Sequence, residues 1–179
     1  MTQAGSVYGE ALYTLALEDR LTDRILSELE VLDQAFQATP KFAGLLCNPS
    51  ISKQERCRIL DDSFRGKVHI YVLNFLKILT EKGYIRHFSD CRKAYEESYN
   101  RDNGILPVTA YTAVPLSNAQ AEKLSGKLSR ITGKQVKLYS RIDPTVLGGV
   151  RLDYDGKRLD DTVSHRLDSI RDLLKNTVL

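Results

Sequence analysis

No stretch of this 179-residue chain is apolar enough for long enough to cross a bilayer. The densest, residues 68–79, is broken by His69, Asn74 and Lys77. No basic segment followed by an apolar run opens the chain, and no Arg/Ser-rich transit segment does. Helical patterning starts within a few residues of Met1, so the chain is expected to begin there and to work in a bacterial cytosol. Cysteine is scarce: Cys47, Cys57 and Cys91 form no CxxC pair, and any one bridge leaves a thiol over. They read as small buried hydrophobes in a reducing compartment. Low-complexity segments and internal repeats are lacking too. With 42% apolar and 27% charged residues, the composition excludes disorder over most of the chain.

Charge of one sign is also not in large excess, the net being +3. It is unevenly placed, however. Residues 1–105 carry 14 Lys/Arg against 15 Asp/Glu, and residues 106–179 carry 12 against 8. The second part is therefore basic, which fits either an acidic partner or a merely solvated surface.

Motifs of catalysis are missing as well. Gly148-Gly149 lies in neither G-x-x-x-x-G-K-[ST] nor G-x-G-x-x-G, and reads as a bulge or close approach inside a strand. His69, His87 and His165 fall on three different predicted helices with no partner ligand at metal spacing. Asp61-Asp62 and Asp160-Asp161 read as solvated helix positions, the latter favourable near a helix start. G-x-S-x-G is absent. No enzyme activity, cofactor, metal, small-molecule substrate or membrane insertion is expected. The aromatic-rich RNA-binding signature is absent from the strands, so no nucleic-acid partner is expected, and an RNA-binding helical bundle is the alternative reading.

What is present in the first hundred residues is helical periodicity. Tyr8, Ala11, Leu12, Leu15 and Ala16 recur at helical spacing, and Leu21, Ile25, Leu29, Leu32 and Phe36 form a second stripe ended near Pro40. A short helix follows at residues 42–47. Ser52-x-x-Glu55 reads as a capping box opening a helix with Cys57, Leu60 and Phe64. Residues 68–82 are apolar nearly all round, which predicts a central helix. Tyr84, Phe88, Cys91, Tyr95 and Tyr99 form the last stripe, stopped at Asn103-Gly104. Six helices joined by short loops predict a compact bundle over residues 1–104.

Beyond Gly104 the period changes to two. Val108, Ala110, Thr112 and Val114 alternate as in a strand. Ser117-x-x-Gln120 caps a helix with Ala121, Leu124, Leu128 and Ile131 on one face, ending at Gly133. Val136, Leu138, Ser140 and Ile142 alternate again, Asp143-Pro144 turns the chain, and residues 146–154 form another strand. Asp155-Gly156 signals a hairpin into a short strand at 157–159. A last helix carries Val163, Leu167, Ile170 and Leu174. The prediction is an α+β protein: an all-α bundle, then a small β-α-β-β-α domain over residues 105–179.

The second part is also where the chain becomes recognisable. Lys134-Gln-Val-Lys-Leu138, Ile142-Asp-Pro-Thr-Val-Leu-Gly-Gly-Val150 with its Asp143, Gly148 and Gly149, and Arg158-Leu-Asp-Asp-Thr-Val-Ser-His-Arg-Leu167 resemble the delta subunits of bacterial F-type ATP synthases, the family of the mitochondrial oligomycin-sensitivity-conferring protein. Tyr8-Gly-Glu-Ala-Leu-Tyr-Thr-Leu-Ala16 is similar to the family's opening, with Gly9 where alanine is usual. Asn74-Phe-Leu-Lys-Ile-Leu-Thr-Glu-Lys-Gly83 is similar to its fifth helix.

The resemblance implies a non-catalytic stator subunit, peripheral at the cytoplasmic face of the cell membrane. In the family the bundle holds the N-terminal helix of an alpha subunit between its first and fifth helices. The C-terminal part meets the end of the b-subunit stalk. Carried over, the groove comprises Tyr8, Ala11, Leu12 and Leu15 with Asn74, Phe75, Ile78 and Leu79. Leu15, Phe75 and Leu79 read equally well as core, whereas Tyr8 and Ile78 suit a groove better. Lys123, Lys127, Arg130 and Lys137 are the basic residues expected to favour a charged stalk.

Overall fold

The computed structural model describes residues 2–160 apart from Pro49 and Leu147. Helices α1 (Gln3–Glu18), α2 (Thr22–Ala38), α3 (Pro40–Leu46), α4 (Lys53–Phe64), α5 (Ile70–Glu81) and α6 (Phe88–Asp102) come first. Strand β1 (Ile105–Thr112), helix α7 (Asn118–Thr132) and strands β2 (Gln135–Ile142), β3 (Val150–Tyr154) and β4 (Lys157–Asp160) follow. The mixed class and the helical first part are as the periodicity predicts. The chain divides into two compact units, one before and one after the Tyr99–Asn100 junction.

In the first unit, helix ends are set by identifiable groups. The Thr2 hydroxyl accepts from Gly5 N–H at the start of α1, and Thr2 itself donates from N and Oγ1 to Asp90 at 3.0 Å. At the far end Arg20 takes a left-handed conformation, φ 57°, so that Leu21 N–H reaches the Ala16 carbonyl at 2.8 Å. Pro40 starts α3, where its missing N–H costs nothing. Ser52 caps α4 by accepting from Glu55 N–H, but the reciprocal carboxylate bond of a capping box is not formed there.

Gly83 ends α5 with φ +76°, and Tyr84 N–H returns to the Leu79 carbonyl at 2.7 Å. This tight reversal explains why the last stripe does not begin as one helix at Tyr84. A single 3-10 turn, Ile85–His87, comes between the reversal and α6. Gly83→Ala is expected to destabilise the first unit by roughly 1 kcal/mol, because a Cβ disfavours left-handed backbone. A fall in Tm of about 4–8 °C by circular dichroism would register it.

The core of this unit is closed by aromatic packing. All five phenylalanines join: Phe36 meets Phe42, Phe64 and Phe88 with centroids 5.0–6.5 Å apart, and Phe75 meets Phe88 at 6.4 Å. Helix α5 contributes Val72, Leu73, Phe75, Leu76 and Leu79 to the same core, but Ile70, Asn74 and Ile78 are exposed, so it is covered on one side rather than surrounded. Arg92 ties α6 to α2 through Asp33, Nε to carboxylate at 3.0 Å, and the fully buried Tyr95 donates its hydroxyl to the Thr22 carbonyl.

The second unit is a four-stranded sheet of order β2-β1-β3-β4. β1 and β2 are parallel, connected through α7, while β3 runs antiparallel to β1 and to β4. Leu106, Val108, Ala110 and Leu152 form its core, with Leu116, Leu124 and Leu128 packed on them. The Ser117–Gln120 capping box is complete. Asp155 and Gly156, φ 48° and 69°, make the two-residue turn between β3 and β4.

Four details differ from the sequence reading. β1 stops at Thr112, whose hydroxyl donates to the Val114 carbonyl and leaves Val114 in solvent. β3 starts at Val150, because Val146 is buried in the turn closed by its N–H to the Asp143 carbonyl. Ile131 is exposed, two residues beyond Ser129, whose Oγ accepts from Val136 N–H at the start of β2. The predicted domain order β-α-β-β-α leaves out the short strand expected at 157–159, which is present as β4, so the described residues have the order β-α-β-β-β. The predicted final helix, with His165, lies outside the described residues.

Candidate functional site

Helices α1 and α5 are joined at both ends of one shared flank. At one end the rings of Tyr8 and Tyr84 lie 5.9 Å apart, tilted by 46°. At the other, the Tyr71 hydroxyl donates to the Asp19 carboxylate. Asp19 closes α1 and Tyr71 opens α5, while Tyr84 follows the end of α5. The two helices therefore run antiparallel.

The helical period then decides what lies between them. On α1 the flank carries Tyr8, Ala11, Leu15 and Glu18; on α5 it carries Tyr71, Phe75 and Ile78, with Asn74 beside them. Leu15 is 39% exposed and Ile78 44%, and Ala11 and Asn74 are also exposed. Tyr8 is half-buried, packed on the core. Leu12, Phe75 and Leu79 belong to the core itself, at 5%, 6% and 0% exposure. Of the eight predicted groove residues, these three are therefore core, while Ala11, Leu15, Asn74 and Ile78 are exposed and Tyr8 is half-buried.

Tyr71 and Tyr84 were missed by sequence reasoning. Tyr71 was legible, since it precedes Ile78 by two turns. Tyr84 was not, because its position depends on the reversal at Gly83.

The predicted motif residues of the second unit have structural work. The Asp143 carboxylate accepts from Thr145 N–H at 3.0 Å, Thr145 Oγ1 at 2.6 Å and Arg151 Nη2 at 3.0 Å. The Arg151 guanidinium also lies over the Tyr111 ring at 4.4 Å, across the β1–β3 pair. Asp143 thus locks the turn after β2 onto β3. Gly148 and Gly149 sit in the bend ahead of β3 rather than inside a strand, and Gly149 has φ +86°.

The Thr145 hydroxyl and amide, then Arg151, hold the Asp143 carboxyl below its ordinary range. A carboxyl with a depressed folded value adds stability above its unfolded pKa of about 3.9 and loses it as pH falls through the folded value. Asp143→Asn is expected to melt lower than the parent at pH 7. The gap between the two should close as pH is lowered below about 4.

The other candidates are dispersed. His69 caps α5, its Nδ1 accepting from Tyr71 N–H at 3.3 Å, and His87 Nδ1 lies 3.9 Å from Asp90. Asp61 is paired with Lys77 at 2.7 Å and Arg65 at 3.1 Å. Cys91 is buried, its thiol pushed up to about 11 by desolvation, whereas Cys47 and Cys57 are only half-buried. Among the described residues no group of three or more His, Cys, Asp or Glu is placed to hold a metal, and no helix is long and apolar enough to cross a membrane. Lys123, Lys127 and Arg130 are exposed on α7, and Lys137 Nζ lies 5.6 Å from the centre of the Tyr139 ring.

The sequence pattern described as "ATP synthase delta (OSCP) subunit" matches residues 5–174. The chain belongs to that family. It is 33% identical over 172 residues to ATP synthase subunit delta of Clostridioides difficile (strain 630), covering 96% of this chain and 95% of the relative. With ATP synthase subunit delta of Alkaliphilus oremlandii (strain OhILAs) it is 30% identical over 172 residues, 96% of each. A chain of the Toxoplasma gondii mitochondrial ATP synthase hexamer shares the fold, with TM-score 0.74, 21% identity and coverage of 97% and 98%. Delta subunits of this family are structural members of the peripheral stalk rather than catalytic ones.

Proposed function

We propose that this chain clamps the catalytic head of a bacterial F-type ATP synthase to its peripheral stalk, at the cytoplasmic face of the cell membrane. The observation that carries the reading is the antiparallel α1/α5 pair, tied at both ends and open and apolar between. Such a groove suits an amphipathic helix that sets residues i, i+3, i+4 and i+7 into it. On this reading residues 1–104 hold the N-terminal helix of an alpha subunit, over Tyr8, Ala11, Leu15, Asn74 and Ile78. Residues 105–179 meet the end of the b-subunit stalk, with exposed Lys123, Lys127 and Arg130 of α7 favouring acidic stalk residues.

The task is mechanical. Unless something outside the head holds it still, a turning central shaft carries it round and no work is done on nucleotide. Holding needs affinity and slow release, not reactivity. Nanomolar binding is about −12 kcal/mol, within reach of a standard interface of roughly 1,600 Å² with well-packed anchors. The floor of Leu12, Phe75 and Leu79 serves that end, because buried side chains beneath the groove keep its walls from yielding under load.

The test is calorimetric titration of the full chain with a synthetic peptide of the host alpha-subunit N-terminus. Micromolar or tighter binding is expected. Absence of binding, together with salt-sensitive RNA binding, would replace this reading with the RNA-binding one.

A further inference from the structure

The groove is not the same at its two ends. Beside Tyr8 and Tyr84 it is aromatic. Beside Tyr71 it carries two carboxylates, Asp19 and Glu18, and Glu18 falls on the groove flank of α1, seven residues on from Ala11. Asp19 is engaged by the Tyr71 hydroxyl, and both carboxylates act on that hydroxyl, raising its pKa. Neither is paired with a cation among the described residues. Arg20, in its left-handed conformation at the helix end, pairs with neither, and Arg24 is held by Glu28 at 3.0 Å. An apolar trough that ends in uncompensated negative charge is complementary to a helix whose apolar stripe ends in a Lys or Arg.

We propose that Glu18, supported by the Asp19–Tyr71 pair, reads a basic side chain of the visiting helix and so sets which way round it lies. This rests on the groove reading above. From Tyr8 to Glu18 α1 rises about 15 Å, so the basic residue stands about ten residues along the visitor from the side chain that meets the tyrosine pair. Apolar anchors alone do not fix polarity, since a helix laid in backwards presents a similar stripe. One charge at one end breaks that symmetry, because the reversed helix leaves both carboxylates unanswered. For a clamp under torque, a single bound orientation means a single geometry of the link.

The experiment uses the full chain and the alpha-subunit peptide, with each Lys and Arg of the peptide replaced in turn by Glu. One replacement is expected to weaken binding to the parent chain about tenfold, and Glu18→Lys to recover most of that loss. Glu18→Lys alone should weaken the unmodified peptide to a similar extent. Glu18 lies on the surface, so circular dichroism should be unchanged. If the peptide binds the parent chain but no replacement is rescued and Glu18→Lys leaves affinity as it was, the polarity proposal is overturned and the groove stands. If the unmodified peptide does not bind at all, the groove reading falls first.

Discussion

Ile78→Asp is expected to weaken binding of the alpha-subunit peptide at least about 100-fold, or roughly 2.7 kcal/mol, while leaving the first unit folded. Burying an isoleucine side chain contributes about 1.5–3 kcal/mol, and a carboxylate in its place must be desolvated without a partner. Ile78 is nearly half exposed in the free chain, so the folded state loses little when it is replaced. Leu79, one residue on, is the matched contrast. It is wholly buried, and Leu79→Ala is expected to cost about 2–5 kcal/mol of stability through the cavity it leaves. Titration and thermal melts of both variants separate the roles: Ile78→Asp lowers affinity strongly with only a small fall in Tm, whereas Leu79→Ala lowers Tm first. A peptide affinity untouched by Ile78→Asp would mean that the groove lies elsewhere.

That contrast also marks how far the sequence could be read. Two-residue and 3.6-residue periods located the longer helices and strands to within a few residues, because the faces concerned bury against something, and turn signals located the short α3 and β4. The α1 and α5 stripes were visible for the same reason. Their division into buried and exposed positions was not, since Phe75 and Ile78 are both apolar and only the packing of the neighbouring helices on α5 decides which is covered. Pairing of the ends of α1 and α5 was equally hidden. Tyr71–Asp19 joins residues 52 apart in sequence, and Tyr8–Tyr84 depends on a left-handed glycine. In the second unit Asp143 was identified as a motif residue, but its lock on Arg151 requires β3 to pair with β1, which no local pattern specifies.

The second large effect is expected at Gly9, where one methyl group should destabilise the first unit by about 2 kcal/mol. In an α-helix interior Gly→Ala ordinarily gains up to about 1 kcal/mol. Here a Cβ on Gly9 would stand 2.3 Å from the Cys91 carbonyl oxygen, 2.7 Å from Ala94 Cβ and 3.1 Å from Tyr95 N. Two of the three are backbone atoms of α6, fixed by that helix's own hydrogen bonds, so no side chain can swing aside. The helices must part by nearly an ångström, which unseats Leu12 and Ala16 from the core as well. Gly5, one turn earlier, is similarly close to Asp90, its Cβ position 2.7 Å away, so α1 rides on α6 along a track of two glycines. The clash term outweighs the propensity term, and Tm of the first unit should fall by about 8–16 °C. Gly126→Ala in α7 is the control with the opposite sign: nothing lies within 4 Å of its added Cβ, and it should stabilise the second unit by roughly 0.5–1 kcal/mol. On the proposed reading α1 is one wall of the groove, and Gly9→Ala should then weaken the alpha-subunit peptide too, even at temperatures where the variant is fully folded. Unchanged affinity in a destabilised Gly9→Ala protein would show that the groove wall is set by α5 alone.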